Sequence, residues 1–174
     1  MRNPVGCKNK CNIKIADLTE KMLAEAVAVF INGGWDADSI KSVKAEMLAF
    51  IKGDIEGYIR QRFIVVLLND RIAGVAAWAP SMCSFSMYEL SWATVLPEWR
   101  HQGINTLMLN ERIARIRAHH GPKPFQVLVY TWDNPMYAGT GFSRIYPYSE
   151  CSGNSKRKYV FMAQFGEGEE KAIL

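Results

Sequence analysis

The chain has 174 residues, of which 49% are hydrophobic and 22% are charged, and this composition excludes collagen-like and intrinsically disordered proteins. Lysine and arginine number 21 against 17 aspartates and glutamates, so the net charge of +4 permits a phosphate-bearing ligand without indicating nucleic acid. The sequence lacks the run of about 18 apolar residues that a membrane span needs, and its N-terminal stretch lacks the apolar core of a signal peptide. We therefore expect a cytoplasmic protein without a membrane partner.

The chain is predicted to contain one folded domain between two short extensions. Its length fits a single domain, and the sequence shows no repeat, low-complexity tract or linker. Residues 1–11 are expected to form a loose N-terminal arm and residues 166–174 a polar tail, which leaves residues 12–165 as the domain. About 70% of the surface of an unfolded chain of this size is buried on folding, so the core can be stable without a disulfide or a structural metal.

Two amphipathic helices are predicted near the start of the domain. After a short strand over 12–16, apolar residues recur at helical spacing over 17–31 and again over 39–52. Gly33-Gly34 stops the first of these helices. The polar face of the second is predicted to carry Lys41, Lys44 and Glu46.

The rest of the domain is predicted to combine six strands with a long and a short helix. Runs of β-forming residues place the strands at 63–68, 72–79, 88–95, 125–131, 142–146 and 159–165. Asn69-Asp70 gives the turn of a hairpin, the long helix runs from Gly103 to about Ala118, and a short helical turn spans 134–140. The order β-α-α-β-β-β-α-β-α-β-β predicts an α/β (α+β) fold, with a mixed, partly antiparallel central β-sheet and helices on both faces.

The connection between the strand at 88–95 and the long helix has the features of a phosphate-binding turn. A helix N-terminus presents unpaired backbone N–H groups and a partial positive charge, and both favour a phosphate. Gly103, directly before the helix, lets the backbone approach a ligand without a Cβ in the way. An ordinary strand–loop–helix connection with a turn glycine has the same pattern, so this segment alone leaves both interpretations open.

The same residues resemble the acyl-CoA-binding motif of the GNAT superfamily of N-acyltransferases. The family pattern is Arg/Gln-x-x-Gly-x-Gly/Ala, and this chain reads Arg100-His101-Gln102-Gly103-Ile104-Asn105. The preceding Val95-Leu96-Pro97-Glu98-Trp99 resembles the family's lead-in, and the segment from Asn134 to Phe142 resembles its Asn…Tyr-x-x-x-Gly-Phe segment. Asn105 departs from the pattern because it replaces the second small residue, and it narrows the predicted cradle. The resemblance covers about residues 12–165.

The resemblance implies a GNAT-like acyl-CoA N-acyltransferase fold and an acetyltransferase that uses acetyl-CoA as cosubstrate. The acetyl group would pass to a primary amine by direct attack in a ternary complex. In this family the fourth strand splays from the fifth, and pantetheine lies between them. The backbone of Ala93 and Val95 would therefore contact the acetyl and pantetheine units, and the pyrophosphate would lie against Gln102, Gly103, Ile104, Asn105 and Thr106, flanked by Arg100 and His101. For Arg100, a phosphate contact and a solvated side chain both stay open.

Glu89 is the candidate general base, since several GNAT members carry a glutamate at the corresponding place on the fourth strand. Period-two alternation would put Glu89 on one face with Ser91, Ala93 and Val95. At about 3.3 Å per residue it would lie about 13 Å from Ala93, which favours a water relay over direct contact. A solvent-facing carboxylate, with water alone as the base, is the alternative.

Tyr137 is the candidate general acid, because it matches the family's tyrosine near the coenzyme sulfur. The same match assigns Tyr137 and Asn134 to the cofactor contacts. Asn134 can bond pantetheine or simply cap the short helix. For Tyr137, the alternative is a buried aromatic ring that packs the short helix against the sheet.

The cysteines give no prediction of a metal site. Cys7 and Cys11 could supply half of a zinc site, but no cluster of Cys or His supplies the other half. Cys83 has no His or acid at a recognisable spacing to activate it as a nucleophile. In a cytoplasmic chain these three residues and Cys151 are expected to be free thiols.

The acceptor is the least defined part of the predicted reaction. In such enzymes the first two helices and the loop after the third strand commonly wall the acceptor site. Here those segments carry carboxylates beside aromatic residues, a combination that suits a cationic amine: Trp35, Asp36, Asp38, Asp54, Glu56, Tyr58, Phe85 and Tyr88. A small molecule and a protein amino group both remain as acceptors, and the sequence is compatible with a homodimer.

Two functions from other classes stay open. A catalytically degenerate GNAT-like protein would bind acyl-CoA and act as a sensor or partner-binding module, and Asn105 keeps this interpretation open. Nucleic acid is not the expected partner, although the basic residues of 112–123 and 156–158 keep a nucleic-acid-binding module as a further alternative.

Overall fold

The order of helices and strands agrees with the predicted order throughout the described chain. In a computed structural model, the structure describes residues 12–54, 61–82, 84–132, 135–148 and 159–166. Their elements are β1 (Ile13–Asp17), α1 (Leu23–Gly33), α2 (Ala37–Lys52), β2 (Arg62–Leu68), β3 (Arg71–Pro80), β4 (Met87–Val95), α3 (Ile104–His120), β5 (Phe125–Trp132), α4 (Pro135–Ala138), β6 (Ser143–Tyr148) and β7 (Tyr159–Gly166). Short 3-10 turns at Glu20–Met22 and Pro97–Trp99 precede α1 and follow β4.

Local sequence signals account for the ends of the first two helices. The carboxylate of Asp36 caps α2 by accepting a hydrogen bond of 2.9 Å from the backbone N–H of Ser39. This bond and the Ser39 hydroxyl lower the pKa of Asp36. Gly34 (φ 85°) ends α1 and Gly53 (φ 68°) ends α2, both in the left-handed region that glycine adopts without strain.

The seven described strands form a mixed sheet in the order β1-β2-β3-β4-β5-β7-β6. β1 pairs antiparallel with β2 and β2 with β3, while β5 and β6 each pair antiparallel with β7. β4 pairs in parallel with β5, over a register that runs from Met87 opposite Gln126 to Leu90 opposite Val129. The predicted α/β (α+β) fold class with a mixed, partly antiparallel sheet is therefore confirmed.

The β2–β3 hairpin contains the predicted turn and one irregularity. Asn69 (φ 51°) and Asp70 (φ 63°) are both left-handed, as a two-residue turn matched to the twist of the strands requires. The register shifts between Val66 and Leu67. Close to this shift, the backbone N–H of Ile72 donates to the carboxylate of Glu25 at 2.9 Å, which ties α1 to β3.

The described residues divide into two compact units, and β4 contributes to both. The first unit comprises the described part of 1–79 together with 92–112. In it, alternate side chains of β2 enter two apolar clusters. Phe63, Val65 and Leu67 pack with residues of α1 and α2, whereas Ile64, Val66 and Leu68 pack with Ile104 and Met108 of α3. Within this unit, helices therefore cover both faces of the strands.

The second unit comprises 80–91 and the described part of 113–174. Its strands are the first half of β4 followed by β5, β7 and β6. Tyr88 of β4 is buried, and its hydroxyl lies 3.1 Å from Nδ1 of His120 in the last turn of α3. The Nε2 atom of His120 lies 3.1 Å from the backbone oxygen of Pro124. These contacts join the last turn of α3, which belongs to the second unit, to β4 and to the residue before β5.

Some predictions concern residues that lie outside the described part of the chain. The predicted N-terminal arm lies there, as do most of the predicted tail and all four cysteines. Gly166, the first residue of the predicted tail, is the last residue of β7. Among the described residues, no helix is both long and apolar enough to cross a membrane.

Gly74 of β3 is expected to be essential for the packing of α3. A Cβ at Gly74 would lie 3.1 Å from Sδ of Met108, 3.2 Å from the backbone oxygen of Thr94 and 3.3 Å from Cγ2 of Ile104. Gly74→Ala should therefore lower the free energy of unfolding by about 1–3 kcal/mol in chemical denaturation, the usual effect of overpacking a core.

Gly53→Asn is the matched control for this substitution. Gly53 is left-handed and a Cβ there meets nothing within 4 Å, and asparagine tolerates this conformation. The control should leave the denaturation midpoint close to that of the parent. An unchanged midpoint for Gly74→Ala would mean that the start of α3 can move away from β3 without loss of stability.

Candidate functional site

The connection from β4 to α3 is a short turn that leads directly into the helix. β4 ends at Val95, the 3-10 turn Pro97–Trp99 follows, and α3 begins at Ile104. His101 (φ 61°) and Gly103 (φ 81°) are left-handed and lie on either side of Gln102. Glycine adopts this conformation without strain, so Gly103 has a conformational role directly before the helix.

The first turn of α3 presents three successive backbone N–H groups ahead of the first helical hydrogen bond. That bond runs from the N–H of Leu107 to the oxygen of Gly103 at 2.9 Å. The N–H groups of Ile104, Asn105 and Thr106 therefore belong to the turn that a helix leaves without intrahelical partners. Together with the positive end of the helix dipole, these groups can bind an anion.

Arg100 and Gln102 contact backbone oxygens of the same connection. Nε of Arg100 donates to the oxygen of Val95 at 3.1 Å, and one of its terminal nitrogens donates to the oxygen of Gly33 at 3.1 Å. Nε2 of Gln102 donates to the oxygen of Glu98 at 3.1 Å. The guanidinium of Arg100 thus links the end of β4 to the end of α1, so its position in the motif has a structural explanation.

The side chain of Asn105 contains a buried oxygen that the backbone of the turn does not explain. Ile104 and Met108, on the same helix turn, are buried against Gly74 and its neighbours. Oδ1 of Asn105 is also buried, and it has no hydrogen-bond partner within the described residues. A buried acceptor without a donor is unfavourable, so this oxygen is suited to a donor that a ligand supplies. The backbone N–H groups of the turn are therefore the part of this connection that fits a phosphate.

The strand that leads into the turn is irregular at Trp92. Trp92 has φ 48°, which is left-handed and rare for a bulky residue in a strand. Its side chain packs in the cluster with Phe30, whereas Ala93 and Val95 pack in the cluster with Ile104. A left-handed residue inside a strand is typical of a bulge, which interrupts period-two alternation, so the shared face of Glu89 with Ala93 and Val95 stays a prediction.

Glu46 of α2 hydrogen-bonds to this irregular residue. The indole Nε1 of Trp92 donates to Oε2 of Glu46 at 2.5 Å, and the ring of Trp92 lies 5.6 Å from that of Trp35. Glu46 is half-buried, and burial raises its pKa while the bond from Trp92 partly opposes the rise. The sequence pattern predicts Glu46 on the polar face of α2, but it follows the buried Val43 by three residues and precedes the buried Met47 by one. Helical spacing therefore puts it at the edge of the buried stripe, a signal that could have identified it.

Glu89 lies in the second unit, on the first half of β4. Its side chain is exposed, and Oε1 accepts a hydrogen bond of 2.6 Å from the hydroxyl of Ser81. An exposed carboxylate is accessible to water, as a general base that acts through a water relay must be. The same geometry also fits the alternative of a solvent-facing carboxylate.

Tyr137 also lies in the second unit, on α4. Its side chain is buried to 4% exposure, and its ring meets that of Phe142 edge-on at 5.4 Å. The backbone oxygen of Tyr137 accepts from the N–H groups of Thr140 and Phe142 at 3.0 and 3.1 Å. These contacts show that Tyr137 packs within the α4–β6 connection, and its role as general acid stays a prediction. The matching Asn134 lies outside the described residues.

The structure also bears on the predicted basic stretch and on the question of a metal site. Arg112, within the basic stretch of the nucleic-acid alternative, is fully buried and donates to the backbone oxygens of Ala77 and Met108 at 3.1 and 3.3 Å. It therefore cannot contribute to a basic surface. In the described part of the chain, no three or more His, Cys, Asp or Glu side chains are grouped so that they could hold a metal ion.

Comparison with known proteins identifies the fold. No protein-family model matches the chain, and no curated protein matches it significantly. Solved structures do match. The ribosomal-protein-S18-alanine N-acetyltransferase from Escherichia coli is 16% identical with a TM-score of 0.69, over 93% of this chain and 100% of that one.

Two further structures extend this comparison. An acetyltransferase of the GNAT family from Streptococcus pneumoniae is 19% identical with a TM-score of 0.65, over 88% of this chain and 99% of that one. The PaiA N-acetyltransferase from Thermoplasma acidophilum, solved in complex with coenzyme A, is 14% identical with a TM-score of 0.63, over 88% and 98%. The chain therefore has the fold of the GNAT acetyltransferases, over nearly its whole length and theirs.

Proposed function

We propose that the chain is a GNAT-superfamily N-acetyltransferase, which transfers the acetyl group of acetyl-CoA to a primary amine of a small molecule or a protein. The observation that carries this proposal is the backbone at the start of α3. A left-handed Gly103 directly precedes a helix whose first N–H groups can bind an anion, in a chain with the fold of these enzymes. A cytoplasmic location and a homodimer stay predictions.

The first turn of α3 would hold the pyrophosphate of the cosubstrate. The N–H groups of Ile104, Asn105 and Thr106 supply the donors, and the left-handed Gly103 keeps the approach free of a side chain. Arg100 is engaged with the oxygens of Val95 and Gly33, so it would chiefly hold the loop in place. His101 and Gln102 complete the loop, and the buried oxygen of Asn105 would accept from a donor group of the cosubstrate.

The second half of β4 would polarise the acyl group. When bound, acetyl-CoA supplies a thioester carbon that an amine can attack. Backbone N–H groups aimed at the developing oxyanion stabilise such a reaction, and Ala93 and Val95 occupy the positions that the resemblance assigns to these contacts. The left-handed Trp92 supports this role for Ala93, because bulges re-aim backbone groups and occur next to active sites.

Proton transfer is assigned to two residues of the second unit. An alkyl ammonium has a pKa of about 10.4, so the acceptor must lose a proton before it attacks. The exposed carboxylate of Glu89 would accept that proton through water. The hydroxyl of Tyr137 would donate to the leaving thiolate, and Asn134 would contact pantetheine.

A degenerate acyl-CoA-binding protein, acting as a sensor or a partner-binding module, is the second candidate function. The observation that favours it is Asn105, a larger, polar side chain with a buried oxygen where the family has a small residue. A coenzyme A release assay against aminoglycosides, polyamines, amino acids and peptides separates the two candidates. Turnover with any of these amines supports the enzyme, whereas binding of acetyl-CoA without turnover supports the degenerate protein.

Gly103→Glu tests the cosubstrate site. A side chain at a left-handed residue is strained, and a negative charge at the start of α3 repels phosphate. Acetyl-CoA at a hundredfold excess over Kd should stabilise the parent by about 2.7 kcal/mol, and this gain should vanish in the variant. Thermal denaturation with and without acetyl-CoA measures it, and equal stabilisation of both proteins would place the site elsewhere.

Glu89→Gln tests the general base. If Glu89 relays the proton of the acceptor, kcat should fall by roughly 10²–10⁴-fold, the acidic limb of the pH–rate profile should flatten, and the Kd of acetyl-CoA should stay unchanged. Glu20→Gln, on the exposed 3-10 turn before α1, is the matched control and should behave as the parent. A parental rate and profile for Glu89→Gln would leave water as the base.

Tyr137→Phe tests the general acid. The substitution removes the hydroxyl and keeps the ring that packs on Phe142, so the melting temperature should stay close to that of the parent. A fall in kcat with unchanged binding of acetyl-CoA is expected, since the lost interaction is made in the transition state. Parental kcat in the phenylalanine variant would leave Tyr137 with its packing role alone.

A further inference from the structure

The left-handed conformation of Trp92 needs a cause within the protein. A bulky residue with φ 48° in a strand is an outlier, and such residues persist only where the surrounding structure holds them. Neither glycine nor asparagine, which adopt this region most readily, occupies the position. The contacts of the Trp92 side chain must therefore hold its backbone in this conformation.

Three side chains of the first unit hold the indole of Trp92. Its ring lies 6.3 Å from Phe30 at an interplanar angle of 75°, and 5.6 Å from Trp35 at 47°. Phe30 is fully buried and is itself edge-on to Trp35 at 5.3 Å, so the rings form one cluster. The indole N–H donates to Glu46. The aromatic contacts set the position of the ring, and the hydrogen bond sets its orientation.

The carboxylate at position 46 is not explained by packing alone. Its burial opposes the charged form, and an apolar residue at the same place on α2 would avoid that penalty. What the carboxylate adds is a strong acceptor for a half-buried indole donor, because hydrogen bonds to charged groups are stronger than neutral ones. Glu46 therefore serves the orientation of Trp92.

The strand segment after Trp92 packs its side chains away from the aromatic cluster. Ala93 and Val95 pack toward the start of α3, while Trp92 packs toward α1. We propose that Glu46 and Trp92 are a pair of positioning residues, which hold the left-handed residue of β4 and thereby aim the N–H of Ala93 at the acyl carbonyl. This inference rests on the proposed acetyl transfer.

Four variants test the pair: Glu46→Leu, Trp92→Phe, the double variant and Glu46→Gln. Each of the first two removes the hydrogen bond, so each should lower kcat by about 10²-fold, the loss expected when a reacting group is misplaced. The Kd of acetyl-CoA and the KM of the amine should change little. The double variant should fall no further than either single one, because the two residues act through one bond. Glu46→Gln keeps an acceptor for the indole, so most of kcat should return.

The controls separate this inference from other roles of Glu46 and from failure of the proposed function. Glu20→Leu should keep the kcat of the parent. A low kcat or a raised amine KM in Glu46→Gln would overturn the inference, because a charge would then be needed, as for an acceptor site or a base. Additive losses in the double variant would also overturn it.

Amide hydrogen exchange gives a readout that does not need activity. Exchange of the backbone amides over 92–95 should be faster in Glu46→Leu and Trp92→Phe, and parental in Glu46→Gln. Unchanged exchange in the first two variants would overturn the inference whether or not the protein is an enzyme. A parent that releases no coenzyme A with any amine, combined with the expected exchange pattern, would contradict the proposed function and leave the positioning of β4 supported.

Discussion

The close approach of α3 to β3 at Gly74 is the contact on which the candidate site depends. A Cβ at this position would lie within 3.4 Å of atoms in Thr94, Ile104 and Met108, which belong to β4 and to the first turns of α3. Because glycine has no Cβ to fill this space, the start of α3 can be buried beside β4, the strand that leads into it. Without this contact, the N–H groups of the first turn would not be held at the end of β4.

The β4–α3 connection is held from both ends by contacts to the backbone. Arg100 bonds the oxygens of Val95 and Gly33, and Gln102 bonds the oxygen of Glu98. Left-handed residues on either side of Gln102 turn the chain into the helix. Binding of a phosphate needs donors that are oriented before the ligand arrives, since each donor that must first be ordered loses conformational entropy. These bonds order the turn in advance.

β4 combines two kinds of structure in one strand. Its first half pairs in regular parallel register with β5, and its second half follows a left-handed tryptophan into the turn. The regular half needs only alternation and backbone pairing. The irregular half needs an aromatic cluster and a carboxylate from α2 to hold one residue in a rare conformation, which is the arrangement expected where backbone groups serve a ligand.

Most of the fold could be predicted from the sequence, because its signals are local. The apolar spacing of α1 and α2, the Asn69-Asp70 turn and the strand runs predict the described helices and strands in the right order. The largest difference in bounds is at the first helix, predicted from residue 17: Asp17 ends β1, and a 3-10 turn precedes the start of α1 at Leu23. Gly103 before α3 was also recognisable, since a left-handed residue ahead of a helix favours glycine. The assignment of the turn's motif residues to a ligand site is a prediction from the same local pattern and from the resemblance to a family.

The roles of individual side chains were decided by tertiary structure. The motif does not indicate that Arg100 bonds the end of α1, and helix polarity alone does not indicate that Arg112 is fully buried. Alternation assigns Glu89, Ala93 and Val95 to one face, but it does not indicate the left-handed conformation of Trp92 between them. That conformation depends on Phe30, Trp35 and Glu46, which are distant in sequence and become neighbours only when α1 and α2 pack on the strands. Sequence thus determined which elements form and where the left-handed turn before α3 lies, because dihedral preferences and periodicity are short-range. Contacts between residues far apart in the chain decided which side chains meet there.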